Sequence, residues 1–179
     1  MPVADNIFST EIVTCKSENR NPNGLADILN ALEHLHKLGY VHRDLKPANI
    51  LFHDDRWKLA DLGLITPKED LTSTITNTGD WAGTAHYCAP EQLKDFKNVT
   101  HHADIYSFGA ILHDIFNGSG RIPYQKHTAT GRIGFIIEKC TEPFVHKRFK
   151  DVKSLRSLYF RFFQKKLFKS QFPRLLRNG

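Results

Sequence analysis

Cysteine is scarce in this 179-residue sequence, and the three present, Cys15, Cys88 and Cys140, lie far apart. They cannot all pair and show no C-x-x-C spacing, which argues against a disulfide scaffold and a zinc ribbon and makes a reducing cytoplasm the expected setting. No run approaches the ~18 uninterrupted apolar residues that a bilayer span requires. Met1 is followed by Pro2, Val3, Ala4, Asp5 and Asn6, not by a basic segment and an apolar stretch, so neither a transmembrane segment nor a secretion signal is expected. Proline and glycine are modest at 8 and 11 residues, which rules out collagen-like and low-complexity chains. What is there is globular: 40% hydrophobic and 25% charged residues, at a length that builds one ordinary domain around one core.

Acidic residues are nearly absent from the last fifth of the chain. Residues 144–179 hold eleven Lys and Arg against the single acid Asp151, a net of +10 in a chain of net +6, so the first 143 residues are net acidic. Clustered cations beside phenylalanines suit a nucleic acid or an anionic membrane surface. Val152, Leu155, Tyr159, Phe162 and Phe163 recur at roughly helical spacing, however, which favours a terminal helix docked on the core with a solvated basic face. A nucleic-acid partner is therefore the lesser reading of the tail.

Residues 1–24 lack a convincing period, and Ser17 to Gly24 form a dense run of turn formers, so this segment is expected to be mostly loop. Leu25, Ile28, Leu29, Leu32 and Leu35 then line one face of a helix that Gly39 can terminate. Ile50-Leu51-Phe52 and Trp57-Lys58-Leu59 flank a polar turn, as two short strands of a hairpin do. Residues 65–84 are rich in Thr and Ser, have no period, and are long for a connection inside a domain; such loops are usually functional or mobile. A strongly patterned helix is predicted over residues 103–116, closed by Asn117-Gly118, with further helices over 133–140 and 151–163. The expected fold class is mainly α with a small β-hairpin, divided into an N-terminal segment (1–24), a helical lobe (25–166) and a basic tail (167–179).

The chemistry gathers around the hairpin. His42-Arg43-Asp44-Leu45-Lys46-Pro47-Ala48-Asn49 leads into it, and Asp61-Leu62-Gly63 leads out. Because the strands fold back on each other, Asn49 at the way in and Asp61 at the way out are brought side by side, with Asp44 on the loop that feeds them. Hard oxygen donors of this kind suit Mg²⁺, which takes a few carboxylate or amide oxygens and leaves its other positions to water and phosphates. A nucleotide is the natural guest of such a site.

This constellation resembles the eukaryotic-type protein kinase family, whose catalytic loop reads H-R-D-L-x-x-x-N and is followed by a D-F-G metal motif. Gly83-Thr84-Ala85-His86-Tyr87-Cys88-Ala89-Pro90-Glu91 is similar to the end of that family's activation segment, and Asp104-Ile105-Tyr106-Ser107-Phe108-Gly109 to its central buried helix. Arg148 sits where the family has an arginine that pairs with the glutamate of the A-P-E block, here Glu91. The resemblance covers residues 25–166 and implies a kinase-like C-terminal lobe that uses ATP and Mg²⁺ on a protein substrate. It implies Asp44 as the base that takes the substrate hydroxyl proton, Asn49 and Asp61 as Mg²⁺ ligands, Lys46 facing the transferred phosphate, and Leu51 under the adenine ring. Lys46 together with Thr84 in the substrate-facing loop is similar to kinases acting on Ser or Thr. Arg43 could pair with a phosphorylated side chain among Thr72, Ser73, Thr74, Thr76 and Thr78, or those residues form no more than a soluble loop.

Two departures from the family pattern matter. Leu62 stands where the metal motif has phenylalanine. Only 41 residues precede His42, and the glycine-rich loop, β-strand lysine and helical glutamate of the nucleotide-covering lobe have no counterpart in them. Val13-Thr14-Cys15-Lys16 imitates the lysine motif but lies too close to the first predicted helix. The expectation is a partial catalytic domain without its N-terminal β-lobe, with a separate chain as a candidate to supply that lobe. The rival expectation is a non-catalytic, pseudokinase-like or truncated interaction module.

Overall fold

A fifteen-residue helix, α3 (His102–Phe116), occupies the centre of the molecule. It is buried from Ala103 through His113 and again at Ile115, so apolar residues surround its axis instead of lining one stripe. The structure is a computed structural model and describes residues 6–62, 85–117 and 120–171, with side chains to residue 163. Around α3 the chain arranges β1 (Asn6–Ile7), α1 (Phe8–Ser17), α2 (Leu25–Lys37), β2 (Ile50–His53), β3 (Arg56–Leu59), α4 (Gly131–Cys140) and α5 (Val152–Gln171). Short 3-10 turns stand at Pro47–Asn49, Pro90–Leu93 and Val145–Lys147. One core joins Ile28, Leu29 and Leu32 of α2, Ile105, Phe108, Ile111 and Leu112 of α3, Ile136 and Ile137 of α4, and Val152 and Leu155 of α5.

α2 begins and ends as its sequence predicts. Its apolar face is buried, and the chain leaves it at Gly39 in a left-handed turn (φ 84°), with the Gly39 and Tyr40 amides donating to the His36 and Leu35 carbonyls. At the other end Gly24 (φ 96°) is needed twice over. Its conformation suits glycine, and a Cβ there would collide with the Trp57 indole ring. That contact fixes the start of α2 against β3.

The hairpin carries a third strand. The sheet is antiparallel in the order β1-β2-β3, with Ile7 opposite Leu51, and Ile50, Leu51, Phe52 and His53 opposite Leu59, Lys58, Trp57 and Arg56. Alternation along β2 sends Ile50 and Phe52 to the core side and Leu51 to the opposite face, where its cross-strand neighbours are Ile7 and Lys58. Ile7 is 39% exposed there and Leu51 half-buried.

Residues 1–24 depart from the loop expected of them, since they include β1 and all of α1. The helix was hidden because a charge interrupts its buried stripe. Phe8, Ile12 and Cys15 face inward at i, i+4 and i+7, but Glu11 is buried among them. Its carboxylate accepts two hydrogen bonds from Arg20 (2.6 and 3.1 Å) and one from the Asn23 amide (2.8 Å). Phe8 meets Trp57 edge to face at 5.0 Å, closing the helix onto the sheet. The motif-like Val13-Thr14-Cys15-Lys16 lies on this helix, not on a strand.

α5 docks as an amphipathic helix. Val152, Leu155 and Tyr159 are buried, Tyr159 stacks on Phe163 at 4.5 Å, and Arg156 reaches across to Glu33 (2.9 Å) and Asn30 (2.6 Å) on α2. The helix continues to Gln171, past residue 163 and into the stretch assigned to a tail. Among the described residues no helix is long and apolar enough to cross a membrane.

Candidate active site

The loop between α2 and β2 is tied down by one carboxylate. Asp104, in the first turn of α3, is fully buried. Its Oδ2 accepts the His42 amide (2.9 Å) and lies 2.7 Å from His36 Nε2, while its Oδ1 accepts the Arg43 amide (2.9 Å). Two consecutive backbone N–H groups aimed at one carboxylate demand a sharp reversal of the chain, and Arg43 adopts the left-handed conformation (φ 67°) that provides it. The His42 ring, wholly buried, lies 3.0 Å from the Ala60 carbonyl and so ties the same loop to the end of β3.

With its backbone held in this way, the loop presents Asp44. The Asn49 side-chain amide donates to both the backbone carbonyl (2.9 Å) and Oδ2 (3.0 Å) of Asp44, and Lys46 Nζ lies 2.9 Å from that same Oδ2. Both acceptors are oxygens, so the amide nitrogen must face Asp44 and Asn49 Oδ1 must point away. Among the described residues neither Asp44 Oδ1 nor Asn49 Oδ1 has a hydrogen-bond partner. The Asn49 carbonyl accepts the Ala60 amide (2.9 Å), which extends the hairpin pairing and sets Asp61 one residue beyond. Asp61 is exposed, is left-handed (φ 57°), and bonds to neither Asp44 nor Asn49.

These donors suit a hard cation. Among the described residues no three His, Cys, Asp or Glu side chains gather into a metal cage. A divalent ion here would rest on few protein oxygens, such as Asn49 Oδ1 and the Asp61 carboxylate, and would draw its other ligands from phosphate and water, which is the Mg²⁺ pattern.

A wall built from residues 85–93 stands beside the loop. Gln92 accepts the Ala89 amide (2.8 Å) and donates to the Arg43 carbonyl (2.8 Å), so the wall is bonded to the residue next to Asp44. Cys88 lies close enough to feel Asp44. Burial first, then the Asp44 and Glu91 carboxylates, push its thiol up to about 12, so it is an unreactive neutral group. Ser107 on α3 donates to the Tyr87 carbonyl (2.8 Å), and the Tyr87 hydroxyl donates to Asp114 (2.7 Å). The expected pairing of Arg148 with Glu91 is present and bidentate, at 2.6 and 2.7 Å, and Arg148 also donates to the His102 and Glu142 carbonyls.

Of the residues singled out in the sequence, the structure brings Asp44, Lys46 and Asn49 into direct contact. Leu51 lies on the outer face of the sheet, and Asp61 lies exposed at its end. Thr84 and the group Thr72, Ser73, Thr74, Thr76 and Thr78 fall outside the described residues. Sequence reasoning missed His36, Gln92, Asp114 and Arg121. Gln92, adjacent to Glu91 in the recognised block, was within reach; His36 meets Asp104 across 68 positions, a distance that no local pattern encodes.

The protein kinase domain family matches residues 5–175, nearly the whole chain, and the chain belongs to that family. A probable serine/threonine-protein kinase of Clostridium acetobutylicum is 42% identical over 102 residues, covering 56% of this chain and 15% of its own length. The serine/threonine-protein kinase AfsK of Streptomyces coelicolor is 37% identical over 100 residues, covering 56% of this chain and 12% of its own. The serine/threonine-protein kinase PknL of Mycobacterium tuberculosis is 42% identical over 95 residues, covering 52% and 23%. The matched stretch is thus under a quarter of these relatives' lengths.

Proposed function

We propose that this chain is the catalytic-loop-bearing part of a serine/threonine protein kinase, transferring the γ-phosphoryl group of ATP to a hydroxyl on a protein. The observation that carries the reading is the Asp44–Asn49–Lys46 contact. Asn49 and Lys46 both engage Asp44 Oδ2, which orients the carboxylate and leaves Oδ1 to receive a proton. A substrate Ser or Thr hydroxyl hydrogen-bonded to Asp44 Oδ1 would give up its proton there as its oxygen bonds to the γ-phosphorus. The bond to the β–γ bridging oxygen breaks, and ADP leaves with that oxygen. Lys46 Nζ, held beside the same carboxylate, offers positive charge to the phosphoryl oxygens in flight. Asn49 and Asp61 would hold Mg²⁺, which when bound neutralises phosphate charge and orients the triphosphate.

The outer face of the sheet supports a second element of the reading. Ile7 and Leu51 form an apolar surface there, and Leu62 nearby in sequence is 50% exposed. An adenine ring could rest on Leu51, and a covering lobe, from the same polypeptide or another, could shield the rest. Without such cover the phosphates would sit in water, where charge–charge terms are weak, and the chain would serve as a non-catalytic binding module. Incubation with Mg²⁺ and γ-labelled ATP, beside an Asp44→Ala control, separates the two. Label transfer that the substitution abolishes supports the kinase, and absence of transfer favours the module.

A further inference from the structure

Arg121 has no role in the reaction described above, yet it is a buried cation bonded to the wall of the site. Its side chain is 4% exposed. Nε donates to Asp114 Oδ1 (2.6 Å) and Nη2 to Asp114 Oδ2 (2.8 Å), a bidentate pair, while Nη1 donates to the His86 carbonyl. The guanidinium plane also lies over the Tyr87 ring, 4.5 Å from its centroid, and the Tyr87 hydroxyl returns to Asp114 Oδ2. Burial alone would raise the Asp114 carboxyl, but the bonds from Arg121 outweigh it and hold the group below its ordinary range, so the pair is ionised. Three contacts from Arg121 and Asp114 thus converge on two adjacent wall residues, His86 and Tyr87, and fasten them to the last turn of α3.

The location gives this cluster its consequence. His86 and Tyr87 directly precede Cys88, which feels the charge of Asp44, and Ala89, whose amide is linked through Gln92 to the Arg43 carbonyl. An acceptor polypeptide that delivers a hydroxyl to Asp44 would pass beside this wall, which is bonded to the residue next to Asp44. The nucleotide, bound by way of Asn49 and Asp61, would approach from the sheet instead. We propose that Arg121 is a positioning residue for the polypeptide substrate: by clamping His86 and Tyr87 to Asp114 it sets the surface that holds the acceptor chain, and it leaves nucleotide binding alone. This rests on the kinase reading for its substrate and on the Arg121, Tyr87 and Asp114 contacts for its clamp.

The two foundations are tested separately in the full chain. Arg121→Met removes the guanidinium and keeps an unbranched apolar stem. Tyr87→Phe removes one hydrogen bond and keeps the ring, as a milder variant should the first fail to fold. Amide hydrogen exchange over residues 85–88 should quicken roughly tenfold in Arg121→Met while α2 and α5 stay protected. With dephosphorylated casein as acceptor and labelled ATP, KM for casein should rise roughly tenfold and KM for ATP stay within about twofold, since misplacing a docking surface penalises only the ligand it holds. Arg121→Lys, which lacks the bidentate fork, should restore little. Unchanged exchange at 85–88, an unchanged casein KM, or a joint rise of both KM values would overturn the inference. Absence of turnover in the unmodified chain sinks the kinase reading instead, and the exchange measurement then decides on the clamp by itself.

Discussion

Asn49 spends both of its amide hydrogens on Asp44, one on the backbone carbonyl at 2.9 Å and one on Oδ2 at 3.0 Å. This makes the start of the hairpin and the tip of the preceding loop one rigid unit. The orientation of the Asp44 carboxylate is therefore a property of the fold itself.

Substituting Asn49→Asp should cost both stability and activity. A carboxylate in that place has no hydrogen to donate and sets a second negative charge against Asp44 Oδ2, so a loss of about 1–3 kcal/mol is expected from the unmade bonds alone. Urea unfolding measures it. A variant as stable as the parent would show that the pair does not hold in solution.

Asp104→Asn tests the anchor beneath the loop. An amide supplies one acceptor oxygen where the carboxylate supplies two, so the His42 or the Arg43 amide loses its partner in a dry interior. The expected loss is about 1–3 kcal/mol, together with faster exchange at whichever amide is abandoned. Asp104→Ala should be worse, because both amides and His36 are then abandoned. Undiminished protection at residues 42 and 43 in the Asn variant would refute the anchoring role.

The Glu91–Arg148 pair is expected to show strong coupling. The Arg148 side chain is fully buried, and removing Glu91 leaves a desolvated guanidinium, for which about 3–5 kcal/mol is typical. Glu91→Ala, Arg148→Ala and the double variant form a cycle. If the two single losses simply add, the pair is not the unit described here.

Stability should fall on acidification from about neutral. Burial, reinforced by Arg121 and His113, lowers the His127 imidazole to about 4 from 6.5. Between those two values the unfolded chain binds the proton and the folded chain does not, so stability rises with pH across that window and is lost as pH drops through it. Glu11 acts in the same direction lower down. Its hydrogen bonds from Arg20 hold its carboxyl below 4.5, and that contribution is present above 4.5 and vanishes beneath its folded value. Melting temperature followed from pH 7 to 4 should decline, and His127→Phe should flatten the upper part of the decline. A flat profile in the parent chain contradicts the assignment.

Gly24→Ala should destabilise by more than about 1 kcal/mol, since it combines a left-handed backbone with a clash against Trp57. Thermal melting of the variant checks it, and a neutral result would mean that α2 and β3 are not seated as described.

Much of this was legible in the sequence alone. The period of α2, the glycine at its end, the alternation around a polar turn in the hairpin and the apolar stripe of α3 are local signals, written within one or two turns of chain. α1 was not legible, because its inward face includes Glu11, and only the guanidinium of Arg20 nine positions later turns that residue from an interruption into part of the packing. The third strand was missed for a related reason. Two residues have no period of their own, and β1 exists because β2 offers it a free edge.

The sequence by itself determined which chemical groups are present and in what order: a histidine, arginine and aspartate ahead of a lysine and an asparagine, an aspartate past the hairpin, and the helices between which they lie. Only the tertiary structure decided who bonds to whom. His36 meets Asp104 from 68 positions away, Gln92 meets Arg43 from 49, and Arg121 reaches back 35 to His86. Helix and strand signals repeat every few residues, whereas a hydrogen bond between distant segments depends on how whole elements pack, and that is settled only when the core around α3 closes.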